Sequence, residues 1–419
     1  GYVGLPTAVA FHEVGFEVTG VDISKNVIRK LRNGESPISD STENLEIPVK
    51  SKRWQVFQDF SCIETADLVL VTVPTPTTDT NEPDLSHVYS AFRSIFSNLN
   101  KKKETIIVLE STVSPGTTRM VSNAVSEEFG LTLGFDCHVC YSPERVSPGD
   151  GKTVRNVSRI IGSDDEKIGE RVASTYRKIT SEVCKLVSSI EVAESAKMVE
   201  NVQRDIDIAF TNELANFFPR MGIDVEEVLE AAETKWSFHR HYPGIGVGGH
   251  CIPVDPYYYI DVSANLERPS LIAPIARKIN EEMPIESAKQ IIRILGGKAG
   301  GKKVLVLGYS YKPNLGDTRM TPVLRLSEEL FSEGMEIIIY DPHVDSSLFP
   351  DFAKFTENPE ALKEVDIIVL ATAHSECLDL DWNRLLENTT TRTIFDGRRA
   401  LRRSDMLRLG WNYTGVGVP

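Results

Sequence analysis

One cysteine stands in an unusual loop. Pro243-Gly-Ile-Gly-Val-Gly-Gly249-His250-Cys251-Ile-Pro-Val-Asp255-Pro places four glycines, Gly244, Gly246, Gly248 and Gly249, just ahead of Cys251. Glycine admits backbone angles closed to other residues and lets a ligand approach the main chain. A thiol presented there, beside His250 and four residues before Asp255, is a candidate covalent nucleophile. A buried structural cysteine is the alternative.

Lys197 and Asn201 are spaced i and i+4, and Arg204 follows at i+7. In a helix all three share one face, and an ammonium beside a carboxamide can hold an oxyanion. The alternative is a solvated face with a Glu200–Arg204 ion pair. Ser142-Pro-Glu144-Arg145 sets a carboxylate and a guanidinium after a strand. Tyr311-Lys312-Pro-Asn314 and Asp317-Thr-Arg319 follow Gly308 in the same manner, and their cations suit a phosphate-bearing ligand. Solvated surface cations are the other reading.

The chain opens on Gly1-Tyr-Val-Gly4-Leu-Pro, the tail of a G-x-G-x-x-G fingerprint. Its first glycine and preceding strand are not in the chain, which reads as starting in mid-motif. Such a turn aims backbone N–H groups and a helix N-terminus at a pyrophosphate. Asp22, at the end of the next apolar run, can accept from a ribose hydroxyl and repels a 2′-phosphate, favouring NAD over NADP. Val73-Pro-Thr-Pro76 and Glu110-Ser-Thr112 end later strands, where ligands of such sheets bind. Structural glycine turns with a surface aspartate are the competing reading.

These residues need elements to hold them. Apolar runs at 17–21, 68–73, 106–109 and 138–141 alternate with helix-sized segments, which predicts a parallel sheet covered on both faces. Residues 188–220 hold no glycine, and no proline before Pro219, and predict one long helix. Helices are also expected at 225–233 and 271–294, the latter broken or kinked at Pro274 and Pro284. Residues 242–256 read as loop, and 296–301 as a linker. Strands then return at 303–307, 336–340, 365–372 and 393–396. The expected architecture is α/β: two Rossmann-like doubly wound domains, 1–187 and 296–419, bracketing a long central helix and helical middle at 188–295.

A formal net charge of −14 and no basic block beyond Lys101–Lys103 argue against nucleic acid or an anionic membrane as partner. The longest apolar runs are far too short to span a bilayer. Six cysteines in 419 residues are too sparse for a disulfide scaffold and point to a reducing cytoplasm. Cys137-x-x-Cys140 lies within a strand and has no second pair, so packed strand residues are expected there and no metal.

Gly1–Pro6, Val73–Pro76, Glu110–Gly116, Ser142–Arg145, Lys197–Asn201, Gly248–Asp255 and Lys312–Arg319 together resemble the UDP-glucose/GDP-mannose dehydrogenase family, in its order and over nearly the whole chain. The resemblance implies NAD-dependent oxidation of a nucleotide-sugar C6 alcohol to a carboxylate, with two NAD⁺ reduced. It implies a homodimer, or a higher homo-oligomer, formed through the central helix. Catalytic roles fall on Cys251, Lys197, Asn201, Asp255, Glu144 and Thr112. NAD falls to Gly1, Tyr2, Val3, Gly4, Asp22, Pro74, Thr75, Thr112 and Arg319. The UDP-sugar falls to Glu144, Arg145, Val146, Lys197, Asn201, Arg204, Arg240, His241, Tyr242, Gly244, Gly248 and Lys312. Val254 stands where UDP-glucose enzymes usually carry lysine. Gly-Gly-His250-Cys251-Ile-Pro-Val254-Asp255 looks instead like the enzymes of UDP-N-acetylhexosamines, with UDP-N-acetyl-D-mannosamine the first choice. UDP-N-acetylglucosamine and UDP-glucose are the alternatives, and a two-electron NAD-linked hydroxyacid dehydrogenase is the remoter one.

Overall fold

The computed structural model describes residues 1–38, 45–147 and 149–419. Contacts divide them into two compact units, Gly1–Asn201 with Tyr257–Pro269, and Val202–Pro256 with Ser270–Pro419. The helical stretch 188–295 is thus shared between the two units.

In the first unit, β1 (Val18–Val21) and β2 (Trp54–Phe57) form a parallel pair. β3 (Leu68–Val71), β4 (Ile106–Leu109), β5 (His138–Tyr141), β6 (Arg159–Ser163) and β7 (Cys184–Val187) form a five-stranded sheet in that order. Burial of both faces explains its apolar strands. Ile107 and Leu109 of β4 meet Val88, Phe92 and Ile95 of helix Ser86–Phe96 and Val121 and Val125 of helix Thr117–Glu128. Ile106 and Val108 point to the other side, among Phe11, Ile168 and Val172. Each such buried aliphatic contributes roughly 1.5–3 kcal/mol.

The sequence predicts a parallel sheet, but this one is mixed: β5 and β6 run antiparallel, pairing Cys140 with Ser163 and Tyr141 with Gly162. β2 and β7 are absent from the sequence reading because Gln55 and Lys185 interrupt their apolar runs, and β6 because its apolar run is only Ile160-Ile161, between Arg159 and Gly162. Cys137 and Cys140 are buried, and the described residues contain no His/Cys/Asp/Glu group suited to a metal.

The second unit holds a six-stranded parallel sheet, β8 (Lys303–Leu307), β9 (Glu336–Tyr340), β10 (Ala353–Phe355), β11 (Ile367–Leu370), β12 (Thr393–Asp396) and β13 (Asn412–Gly415). Its order is β10-β9-β8-β11-β12-β13. The chain reverses direction across the sheet between β8 and β11, where doubly wound sheets bind ligands. Val304, Val306, Ile337 and Ile339 pack under helices Ile272–Ile294 and Pro322–Ser332. Leu305, Leu307 and Ile338 face Trp382, Leu385 and Trp411 on the other side.

The long helix spans Ile190–Phe217 and ends in a 3₁₀ turn at Phe218–Met221, where Pro219 and left-handed Gly222 stop it. The expected break in 271–294 does not occur. Helix Ile272–Ile294 is continuous: Pro274 sits in its first turn, where an N–H has no helical partner anyway, and Pro284 is carried inside. The loop expected to reach Pro256 stops sooner, since helix Asp255–Asn265 begins at Asp255 with Pro256 next.

Candidate active site

In the first unit the strand-end segments are tied to one another. Thr75 Oγ1 donates to Thr112 O (2.8 Å), Ser111 Oγ to Val73 O (2.6 Å) and the buried Tyr258 hydroxyl to Thr75 O (3.0 Å). Thr75 is buried, Thr112 half-buried and Pro74 exposed. The Gly1–Gly4 turn runs straight into helix Gly4–Glu13, whose first turn carries no acidic residue. A Cβ on Gly4 would lie 2.6 Å from Thr72 Oγ1, so glycine is what lets the turn settle on the end of β3. Asp22 follows β1, and its Oδ1 accepts from Ser24 N at 2.8 Å. This glycine cradle, helix N-terminus and strand-end carboxylate fit a dinucleotide's pyrophosphate and ribose.

Beneath them lies a buried ionic cluster. Arg159 on β6 is 1% exposed; Nη1 lies 3.4 Å from Glu110 Oε1 and Nη2 3.0 Å from Glu144 Oε2. Its guanidinium sits 4.4 Å from the Tyr176 ring centroid, and the Tyr176 hydroxyl also donates to Glu110. Glu144 Oε1 accepts from the backbone N–H groups of Arg145 and Val146, both at 2.6 Å. Burial pushes the Glu110 carboxyl up to about 7; Arg159 opposes this and Glu144 adds to it. The Arg145 guanidinium pairs with Glu200, Nε to Oε2 at 3.2 Å.

Lys197 and Asn201 are buried on the long helix, whereas Arg204 is exposed. The three therefore do not share one environment, although their spacing suggested it. One turn before Lys197, the buried Glu194 accepts from Gly116 N (2.6 Å) and Thr118 N (2.8 Å). It thereby caps helix Thr117–Glu128 and locks Lys197 and Asn201 in register with the Glu110–Gly116 segment.

In the second unit the glycine-rich loop is held from several sides. Gly244 N donates to Asn212 Oδ1 (3.0 Å), Asn212 Nδ2 to Asn280 Oδ1 (2.9 Å) and Asn280 Nδ2 to Asp205 Oδ1 (2.7 Å). Arg277 Nη1 pairs with the same Asp205 oxygen at 2.6 Å. Gly249 N donates to Arg319 O at 3.0 Å. A Cβ on Gly248 would lie 2.6 Å from Tyr311 Cβ, and Gly249 adopts φ +89° against the Tyr311 ring. Cys251 is exposed; its carbonyl accepts from Val254 N (3.1 Å) and Asp255 N (2.8 Å), closing the turn into the next helix. Asp255 itself is buried. Burial and Arg319 push His250 below its ordinary range, with Asp317 opposing.

Arg240 pairs with Glu226 and, at 2.7 Å, with Glu233, and stacks 4.8 Å over the Tyr242 ring. His241 is half-buried and Tyr242 exposed. Arg319 is bidentate to Asp317, with Nε 2.9 and 3.0 Å from its two oxygens. Arg398, which follows β12, donates through Nε to Ala371 O (2.7 Å) and through Nη1 to Gly246 O (3.3 Å).

Arg159, Glu194, Asn212, Asn280 and Arg398 were not singled out by motif. Arg398 had a usable signal, because it directly follows a strand ending in Asp396-Gly397, as Ser111 and Thr112 follow the strand before Glu110. The others are isolated polar residues whose partners lie 15 to 78 positions away, and a one-dimensional pattern cannot pair them.

The chain matches three segments of one family's description, UDP-glucose/GDP-mannose dehydrogenase: the NAD binding domain over residues 1–180, the central domain over 191–282 and the UDP binding domain over 305–403. A UDP-N-acetyl-D-glucosamine 6-dehydrogenase of Pseudomonas aeruginosa is 37% identical over 384 residues, 90% of this chain and 89% of that protein. A UDP-N-acetyl-D-mannosamine dehydrogenase of Pyrococcus horikoshii is 32% identical over 424 residues, 100% of this chain and 97% of that one. A solved structure of UDP-D-ManNAc dehydrogenase from P. horikoshii aligns with a TM-score of 0.88 at 30% identity, covering 100% of this chain and 97% of that one.

Proposed function

We propose that this chain, which belongs to the UDP-glucose/GDP-mannose dehydrogenase family, oxidises the C6 alcohol of UDP-N-acetyl-D-mannosamine to the carboxylate through a Cys251 thioester. It is an NAD-dependent nucleotide-sugar dehydrogenase, and its residues 305–403 match the family's UDP binding domain. One observation carries the covalent route. Of the six cysteines, Cys251 is the one exposed; Cys62 is half-buried and the other four are buried.

Bound NAD⁺ supplies the hydride acceptor, once for each two-electron oxidation. The rest of the chemistry falls to the chain. Thr112 holds the water that takes the hydroxyl proton. The Cys251 thiolate adds to the C6 aldehyde carbon as a thiohemiacetal, which keeps the aldehyde from escaping. Lys197 and Asn201 stabilise the oxyanion at each stage. After the second oxidation water attacks the thioester carbon, the C–S bond breaks, and carboxylate and thiol are released. Glu144 takes the water's proton and Asp255 assists. The remaining residues of Gly1–Gly4, Asp22, Pro74, Thr75 and Arg319 hold NAD. Arg145, Val146, Arg204, Arg240–Tyr242, Gly244, Gly248 and Lys312 hold the UDP-sugar.

His250, Val254 and the mannosamine enzyme that matches the whole of this chain support the acetamido class. The P. aeruginosa relative favours UDP-N-acetylglucosamine as the second reading. We further infer a cytoplasmic homodimer built on the long helix, where Val199, Phe210 and Phe217 remain more than half exposed. No helix among the described residues is long and apolar enough to cross a membrane.

Counting NADH per sugar across UDP-N-acetylmannosamine, UDP-N-acetylglucosamine, UDP-glucose and GDP-mannose tests both parts. Two NADH per UDP-N-acetylmannosamine is expected. One per sugar would refute the four-electron route, and a higher kcat/KM for UDP-glucose would refute the substrate class.

A further inference from the structure

Two strand-end aspartates occupy matching places in the two units and do opposite things. Asp22 follows β1 and accepts from Ser24 N. Asp341 follows β9 and is 3% exposed. It accepts from Tyr309 N (2.6 Å), Ser310 N (3.0 Å), His343 N (2.8 Å), Val344 N (3.1 Å) and His374 Nε2 (3.0 Å). Burial works against its ionised form, but the His374 contact and the backbone donors outweigh it and hold the carboxyl below its usual range. Asp341 is thus committed to the protein interior and has little accepting capacity left for a ribose.

We propose that His374 is a positioning residue for the nucleotide-sugar reaction, which sets the 309–314 loop so that Lys312 meets the UDP diphosphate. This rests on the nucleotide-sugar reading above. The loop follows β8 and His374 follows β11, the two neighbouring strands at which the sheet order reverses. His374 is wholly buried and touches the loop with both ring nitrogens. Nδ1 lies 2.9 Å from Asn314 N. A backbone N–H can only donate, so Nδ1 accepts and the ring proton sits on Nε2. Nε2 faces Asp341 Oδ2 at 3.0 Å and Ser310 Oγ at 3.2 Å.

Ser310 Oγ in turn donates to Lys312 O at 2.9 Å. Asn314 holds left-handed φ 58°, and its Oδ1 accepts from Ser375 N at 2.8 Å. Both ends of the short segment bearing Lys312 are therefore pinned through one imidazole. Losing the Nδ1 acceptor strands the Asn314 N–H and frees the loop, while the Asp341 side stays intact.

Two near-isosteric amides separate these effects. His374→Asn keeps an acceptor near Nδ1, and His374→Gln keeps a donor near Nε2. UDP and NAD⁺ are titrated calorimetrically into the full chain and both variants, with KM and kcat measured for the best UDP-sugar. We expect His374→Gln to bind UDP roughly tenfold more weakly than His374→Asn, with KM raised in proportion, kcat within about threefold and NAD⁺ affinity equal. Equal UDP affinity in the two variants would overturn the proposal, as would a parallel loss of NAD⁺ binding. If the unaltered chain bound NAD⁺ but no UDP, the nucleotide-sugar reading itself would fall, and the proposal with it.

Discussion

Arg159 holds Glu144 from the interior of the first unit, Nη2 to Oε2 at 3.0 Å, while the same guanidinium lies 3.4 Å from Glu110. A single buried cation thus faces two carboxylates, of which Glu110 is raised to about 7. Removing it leaves uncompensated charge in a low-dielectric site, which costs about 3–5 kcal/mol. Arg159→Met should therefore lower the urea midpoint far more than an exposed change such as Arg93→Met, at a pair that is about half exposed. A midpoint within experimental error of the unaltered chain would show that the cluster is not ionised as drawn.

The Glu110 carboxyl sets a direction for stability against pH. Its folded value is raised from 4.5 to about 7, so the native state holds this proton more tightly than the unfolded chain. That stabilisation is fully present below about pH 4.5 and is lost as pH rises through about 7. Between pH 5 and pH 8 it contributes a fall of at most about 3 kcal/mol. Glu110→Gln should flatten that part of the slope. Identical slopes from urea midpoints at the two pH values would refute it.

Cys251→Ser should stop uronate formation while leaving the first oxidation possible. A serine hydroxyl is scarcely ionised at neutral pH and is a far weaker nucleophile. Intact-mass measurement of the quenched enzyme should show a sugar adduct on the unaltered chain and none on the variant. Full steady-state uronate production by the variant would exclude Cys251 as the covalent residue.

Lys197→Ala should lose at least about a hundredfold in kcat and much less in substrate affinity, because the charge it meets develops at the transition state. A large rise in KM at unchanged kcat would make Lys197 a ground-state binder instead.

Gly248→Ala tests the fit of the cysteine-bearing loop. The new methyl would fall 2.6 Å from Tyr311 Cβ and 2.8 Å from Met320 O, and the carbonyl cannot step aside cheaply. A loss of about 1–3 kcal/mol is expected. Gly300→Ala, where a Cβ meets nothing within 4 Å, serves as the control. Equal thermal midpoints for the two variants would contradict the packing described.

Much of this protein was legible in one dimension. Alternating apolar runs specified α/β sheets, because a strand such as Ile106–Leu109, buried on both faces, must be apolar throughout. Glycine spacing marked the Gly1–Gly4 turn and the 243–249 loop, since steric limits act locally. The helical pairing of Lys197 with Asn201 followed from 3.6 residues per turn. Other features needed the folded chain. The continuity of Ile272–Ile294 through two prolines and the helical start at Asp255 show only in the folded helices, and the antiparallel β5–β6 pairing is set by partners distant in sequence. So are the ties from Arg159 to Glu144, from Glu194 to the 116–118 amides and from His374 to Asn314. Local sterics and periodicity are written into neighbouring residues, whereas the charge balance and hydrogen bonding of a buried polar group depend on which distant atoms the fold brings within 3 Å of it.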